Sequence, residues 1–210
     1  MKCYSWKPDQ RTFRNRVWNW WCHAIMCTRM FRSARTCGGD SSHIAFDYIL
    51  DAGRTPIHSY CDLSIGLRHM PVADTTKYYI VQKAGKWRSS MGGKYANGWI
   101  KTRVRSLGTF SVDVDTIAPQ ITPIGQGGWR TSRNIRFRIK DMESGIGSYK
   151  VYIDGKFVLF GLKKGILVIQ NPEKVKKGVS HKLEVTVTDQ CGNMTRQRIQ
   201  ILKPPFIFKS

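Results

Sequence analysis

The stretch Lys140-Asp-Met-Glu-Ser-Gly-Ile-Gly-Ser-Tyr-Lys-Val-Tyr-Ile-Asp-Gly-Lys-Phe-Val158 decides how this chain folds. It reads as the end of one strand, an acidic glycine-rich turn over 141–147, a strand over Ser148–Ile153, a tight turn at Asp154-Gly155 and a third strand from Lys156. Asp-Gly between two apolar runs is a strong hairpin signal, because the favoured two-residue turn needs positive φ at both central positions. Working outward, Asn134–Lys140 precedes this hairpin and Lys182–Asp189 follows it, and both alternate strictly between apolar and polar residues. A period of two places one face against a core and the other in water. Adding Ile121–Ile124, Lys156–Phe160, Ile166–Ile169 and Thr195–Leu202 gives about seven short strands, the number expected of an immunoglobulin-like antiparallel β-sandwich.

A second group of strands lies upstream. His43–Leu50 places Ile44, Phe46, Tyr48 and Leu50 on one face, and Cys61, Leu63, Ile65 and Leu67 repeat the pattern. Strands follow at Lys77–Lys83, Trp99–Val104 and Thr109–Val114, with Asn97-Gly98 as a hairpin signal. Pro119 closes the run and restricts the residue before it to extended backbone, so the connection over 115–119 is expected to be short and stiff. The chain is therefore expected to be all-β, with two tandem antiparallel β-sandwich modules over 41–116 and 117–203, the second immunoglobulin-like, and a tail over 204–210.

Residues 1–40 differ from both. They hold Cys3, Cys22, Cys27 and Cys37 and four of the seven tryptophans, yet show neither sustained alternation nor an amphipathic face. Cys22, His23, Cys27 and Cys37 are zinc-type ligands, but they lack the second close pair that a structural zinc site brings. The segment is expected to be unassigned, either disordered or a non-native reading of the gene. Cys61 and Cys191 fall in separate modules and form no disulfide framework; they read as small buried residues.

The net charge of +21 is the outlying compositional number, and residues 117–210 carry 17 basic against 6 acidic residues. Such an excess favours anionic partners: cell-wall polymers, nucleic acid or a membrane surface. No run approaches the roughly 18 apolar residues needed to span a membrane, and no apolar h-region follows the N-terminal basic residues. Arg136, Arg138 and Lys140 share the wet side of one strand, with Lys150, Lys182, Arg196 and Arg198 outward on others. They read as a face for an anionic polymer or as a solvated, edge-protecting surface. Nucleic acid is the less favoured polymer, since only Tyr152 is placed for base stacking.

Catalytic patterns are missing: there is no Gly-x-Ser-x-Gly, no P-loop and no dinucleotide fingerprint. The glycine-rich 125–128 is expected to lead into a strand rather than into a helix whose N-terminus holds phosphate. Asp141, Glu143 and Asp189 lie in turns at one end of the expected sandwich. They offer hard oxygen ligands for calcium, or cap their own turns.

Taken in order, 115–124, 141–146, 152–156 and 187–193 resemble the C-terminal immunoglobulin-like region of bacterial lysostaphin-type zinc metallopeptidases. Residues 91–99 and 105–112 resemble the module just upstream in the same proteins. The resemblance implies an exported protein of the cell envelope or periplasm, whose separate N-terminal peptidase domain cuts peptidoglycan cross-links with one zinc. That chemistry needs His-x-x-x-Asp and His-x-His elements. No two of the five histidines are one residue apart, so His-x-His is absent. His43 and Asp47 match the first element by spacing, but on an extended strand they lie about 13 Å apart, too far to share one zinc. The resemblance thus implies a non-enzymatic chain, the tail of a longer gene product. Its role would be that of accessory domains that position a peptidoglycan-cleaving enzyme or hold it on the envelope. Its partners would be peptidoglycan, another anionic envelope polymer and the parent peptidase domain. No cofactor is expected here, zinc belonging to the peptidase domain. The alternative is a stand-alone basic β-sandwich module that binds an anionic polymer, whether of the cell wall or nucleic acid.

Overall fold

Strict alternation on the strands produces the core of each unit directly. In Arg136–Lys140 the side chains of Phe137 and Ile139 are buried while Arg136, Arg138 and Lys140 are exposed, and in His181–Asp189 the buried set is His181, Leu183, Val185, Val187 and Asp189. The computed structural model describes residues 2–4, 32–36, 44–51, 59–176 and 179–201. The chain divides after Asp115 into two units, each all-β. Among the described residues no helix is long and apolar enough to cross a membrane.

The first unit contains β1 (Lys2–Tyr4), β2 (Arg32–Thr36), β3 (Asp47–Asp51), β4 (Cys61–Gly66), β5 (Tyr78–Ala84), β6 (Trp87–Ser90), β7 (Lys94–Ala96), β8 (Trp99–Val104) and β9 (Gly108–Val114). They form two sheets, β1-β4-β8-β7 and β2-β3-β9-β5-β6, antiparallel throughout except for the parallel pair β1–β4. The core gathers Tyr48, Leu50, Cys61, Leu63, Ile65, Ile80, Ile100 and Phe110, with Ile44 and Phe46 packed against it. Asn97 and Gly98 both take positive φ and close the β7–β8 hairpin. Two strands, β1 and β2, fall within the stretch expected to be unassigned, and β2 pairs with β3 in full register. β6 and β7 had no expectation attached, because Trp-Arg-Ser-Ser and Lys-Tyr-Ala do not alternate; β6 is a strand only because it returns along β5.

The second unit contains β10 (Gln120–Ile124), α1 (Trp129–Ser132), β11 (Arg136–Lys140), β12 (Ile146–Ile153), β13 (Lys156–Phe157), β14 (Phe160–Lys163), β15 (Ile166–Ile169), β16 (His181–Asp189) and β17 (Met194–Ile201). Its sheets are β10-β11-β15-β14 and β13-β12-β16-β17. In chain order this is the immunoglobulin arrangement: first, second, fifth and sixth strands in one sheet, third, fourth, seventh and eighth in the other. The Asp154-Gly155 turn is formed as expected, with φ of 50° and 76°. The single strand expected over Lys156–Phe160 is instead two. Lys156–Phe157 pairs with β12, Phe160–Lys163 pairs with β15, and the chain changes sheets at Val158 and Leu159.

The expectation of a strand directly after the 125–128 loop is also corrected. A 3-10 turn over Gln126–Gly128 leads into the one-turn helix α1. The cause is Trp129, 1% exposed, which packs edge-on to Phe137 with ring centroids 5.1 Å apart and donates its Nε1–H to the Ile124 carbonyl at 2.9 Å. A buried indole requires such an acceptor, and one helical turn aims it into the core. Gly147 sits at a bulge in β12, where a Cβ would lie 2.5 Å from the Asp189 carbonyl oxygen, so no side chain fits there.

Candidate functional site

The six basic residues singled out from the sequence do not form one face. Arg136, Arg138 and Lys140 lie on β11, in one sheet of the second unit, while Lys150, Arg196 and Arg198 lie on β12 and β17, in the other. All six are exposed. The wet sides of the two sheets of a sandwich point in opposite directions, so the set splits three and three.

The two groups differ in electrostatics. On the β12–β16–β17 side, register places Glu184 opposite Arg198, with Arg196 two residues away on the same strand. Glu184 accepts from Arg198 Nε at 2.9 Å and from Arg196 Nη2. Arg196, then Arg198, hold the Glu184 carboxyl below its usual range. One carboxylate thus serves both guanidinium groups, and the field of this face is largely cancelled at close range.

The opposite side has no such counter-charge. Outward positions there are Gln120, Thr122 and Ile124 on β10, Arg136, Arg138 and Lys140 on β11, Gly161 and Lys163 on β14, and Ile166 and Val168 on β15. Arg138 and Lys163 both flank Ile166, which pairs with each. Among the described residues no ion pair involves Arg136, Arg138, Lys140 or Lys163. Alternate residues of a strand stand about 6.6–6.8 Å apart, so β11 presents its three positive charges as an evenly spaced row. Lys163 was missed in the sequence because its place beside this row depends on the β14–β15 pairing.

The acidic turns are organised by backbone donors. Asp189 accepts from the N–H groups of Cys191 and Asn193 through Oδ1, both at 2.8 Å, and from Asn193 Nδ2 through Oδ2 at 2.7 Å. Asp141 Oδ2 accepts from the N–H groups of Gly145 at 2.6 Å and Glu143 at 3.2 Å. The fold does bring carboxylate oxygens of Asp141 and Asp189 within 4.8 Å of each other, and Glu143 is not part of that group. The chemistry visible in these contacts is turn closure.

Of the zinc-type residues, Cys22, His23, Cys27, Cys37 and His43 lie outside the described residues. Asp47 is bound by the Lys83 ammonium at 2.7 and 3.0 Å. Cys61 and Cys191 are free, buried thiols. One constellation was not anticipated. His181, 5% exposed, faces an acceptor with each ring nitrogen: Asp154 Oδ2 lies 2.6 Å from Nδ1 and the Lys176 carbonyl 2.9 Å from Nε2. Burial alone disfavours the imidazolium, but the two acceptors and the carboxylate charge outweigh it and raise the His181 pKa. The Asp154 carboxyl is lowered, first by His181 and then by the Lys182 N–H. The available signal was a histidine in phase with Leu183 and Val185, on the buried side of an alternating strand. A histidine there needs polar partners, and the sequence does not name them.

Among curated proteins no match is found. Residues 34–115 of the chain, from within β2 to just past β9, are similar to the Zu5-like domain family.

Proposed function

We propose that this chain is a non-catalytic docking protein of the cell envelope, whose second unit holds an anionic envelope polymer against the outer side of the β10-β11-β15-β14 sheet. The observation that carries the reading is the row Arg136, Arg138 and Lys140, extended by Lys163, with no carboxylate among its outward neighbours. Charge left unpaired on a flat antiparallel face draws a polyanion and gives an affinity that falls with salt. The link to a peptidoglycan-cleaving zinc peptidase rests on the order of the sequence elements over 115–124, 141–146, 152–156 and 187–193. In that setting the module would keep a separate peptidase domain close to its substrate.

The test is co-sedimentation of the full chain with purified peptidoglycan sacculi, with and without their attached anionic polymers, across a salt series, beside binding to single-stranded DNA. Binding that needs the attached polymers, and that the triple variant R136E/R138E/K140E abolishes, supports the proposal. Equal binding by the triple variant would sink it. Tighter binding to DNA than to sacculi would move the same face to the nucleic-acid reading.

A further inference from the structure

The second unit also carries an apolar groove that polymer docking does not use. It has a volume of about 230 Å³ and is lined by Tyr149, Val151, Phe157, Val158, Leu159 and Phe160. It lies where the chain passes from β13 in one sheet to β14 in the other. That passage is held at three points. Val158 N–H donates to the Val151 carbonyl at 3.0 Å, Gln170 N–H donates to the Leu159 carbonyl at 3.0 Å, and the Tyr149 hydroxyl donates to the Phe160 carbonyl at 3.1 Å. A groove fixed in this way loses little freedom when it is filled. Phe157 and Leu159 nevertheless remain 56% and 53% exposed.

Two observations say what fills it. First, the groove adjoins an open sheet edge, because β14 is the last strand of its sheet. The two-residue turn Lys164-Gly165 makes Lys163 and Ile166 the closing pair of the hairpin, and antiparallel alternation then turns the main chain of Leu162 toward that edge. An edge beside an apolar pocket receives an extended peptide, main chain along the strand and a side chain in the pocket. The volume lies below the roughly 300–1,000 Å³ of small-molecule sites and suits a single large apolar side chain. Second, Lys150 and Lys156 are exposed and adjoin the lining residues Tyr149, Val151 and Phe157 in sequence. Neither takes part in an ion pair among the described residues. The complement is a peptide that carries carboxylates.

We infer that this groove binds an extended, acidic segment of a partner protein, which adds alongside β14 and places one large apolar side chain against Phe157 and Leu159, with its carboxylates toward Lys150 and Lys156. The experiment is fluorescence anisotropy of the full chain with a labelled short peptide of alternating Glu and apolar residues around a central Phe. Two further peptides replace each Glu by Lys, or the residue next to Phe by Pro, which removes a strand-forming N–H. Saturable binding of the Glu peptide, weakened about tenfold or more by Leu159→Glu, by Lys156→Glu and by the Pro substitution, is the expected result. Both protein variants change exposed side chains, and an unchanged thermal unfolding profile verifies that each is folded. The triple variant on β11 leaves peptide affinity unchanged, which separates this site from the polymer face. Absence of saturable binding, equal binding of the Glu and Lys peptides, unchanged affinity in a folded Leu159→Glu protein, or loss of binding in the β11 variant each overturns the inference.

Discussion

Replacing His181 by Gln tests how the second unit is held together at the Asp154-Gly155 turn. Asp154 takes positive φ, its N–H donates to the Lys182 carbonyl at 2.8 Å, and its Oδ1 accepts the Lys182 N–H at 2.8 Å, so the turn is clamped to the start of β16. The His181 imidazolium completes the clamp by donating to Asp154 Oδ2 and to the Lys176 carbonyl. When the ring loses a proton, one of those two acceptors faces a lone pair. A hydrogen bond to a charged group contributes about 1.5–3 kcal/mol. Because the Asp154 side chain is 48% exposed and partly screened, roughly 1–2 kcal/mol is the reasonable expectation. The folded His181 pKa is raised, so its contribution is complete below the unfolded value near 6.5 and disappears as pH rises through the folded value. Asp154 behaves oppositely: its folded pKa is lowered, and its contribution is present above about pH 4 and lost as pH falls through the folded value. The pair is therefore strongest between roughly pH 4 and 6.5. For a unit of this size, scanning calorimetry of wild type and His181→Gln should show a melting-temperature gap of about 5–10 °C at pH 5.5 that narrows toward pH 9. Asp154→Asn, which keeps the left-handed turn, should show the same narrowing. Parallel melting curves across the pH range, or an imidazole NMR titration with a His181 pKa at or below 6.5, would refute the reasoning.

Three other outcomes follow from the packing and the faces. Trp129→Ala empties the space beside Phe137 and removes the donor to Ile124, and should cost about 3–5 kcal/mol in urea unfolding of the second unit. Gly147→Ala drives a Cβ against the Asp189 carbonyl; a loss of about 1–3 kcal/mol is expected, and a variant as stable as wild type would show that the β12 bulge yields easily. Glu184→Gln frees Arg196 and Arg198, so elution from heparin should shift to higher salt, whereas an unchanged elution would mean that this side does not meet the polyanion.

Much of the fold is legible in the residues themselves. Alternation in Phe137 and Ile139, or in Leu183, Val185 and Val187, states which side chains are buried, and Asp154-Gly155 and Asn97-Gly98 state where the chain reverses. These are local properties: side-chain period and turn conformation depend on neighbours within a few residues. Alternation does not say which of two sheets a strand joins. That assignment comes from long-range pairing, and it decided the rest. Pairing with β12 and then β15 cut Lys156–Phe160 into two strands and opened the apolar groove between them. Pairing of β11 with β10 and β15 put Arg136, Arg138 and Lys140 on the side away from Arg196 and Arg198, while Glu184 reached the two arginines only across β16–β17. Burial of Trp129 and His181 drew their partners from Ile124, Asp154 and Lys176, positions 5 to 27 residues away. Composition and period thus determine the class of fold and its exposed charges; which charges stand unpaired is settled where strands distant in the chain meet.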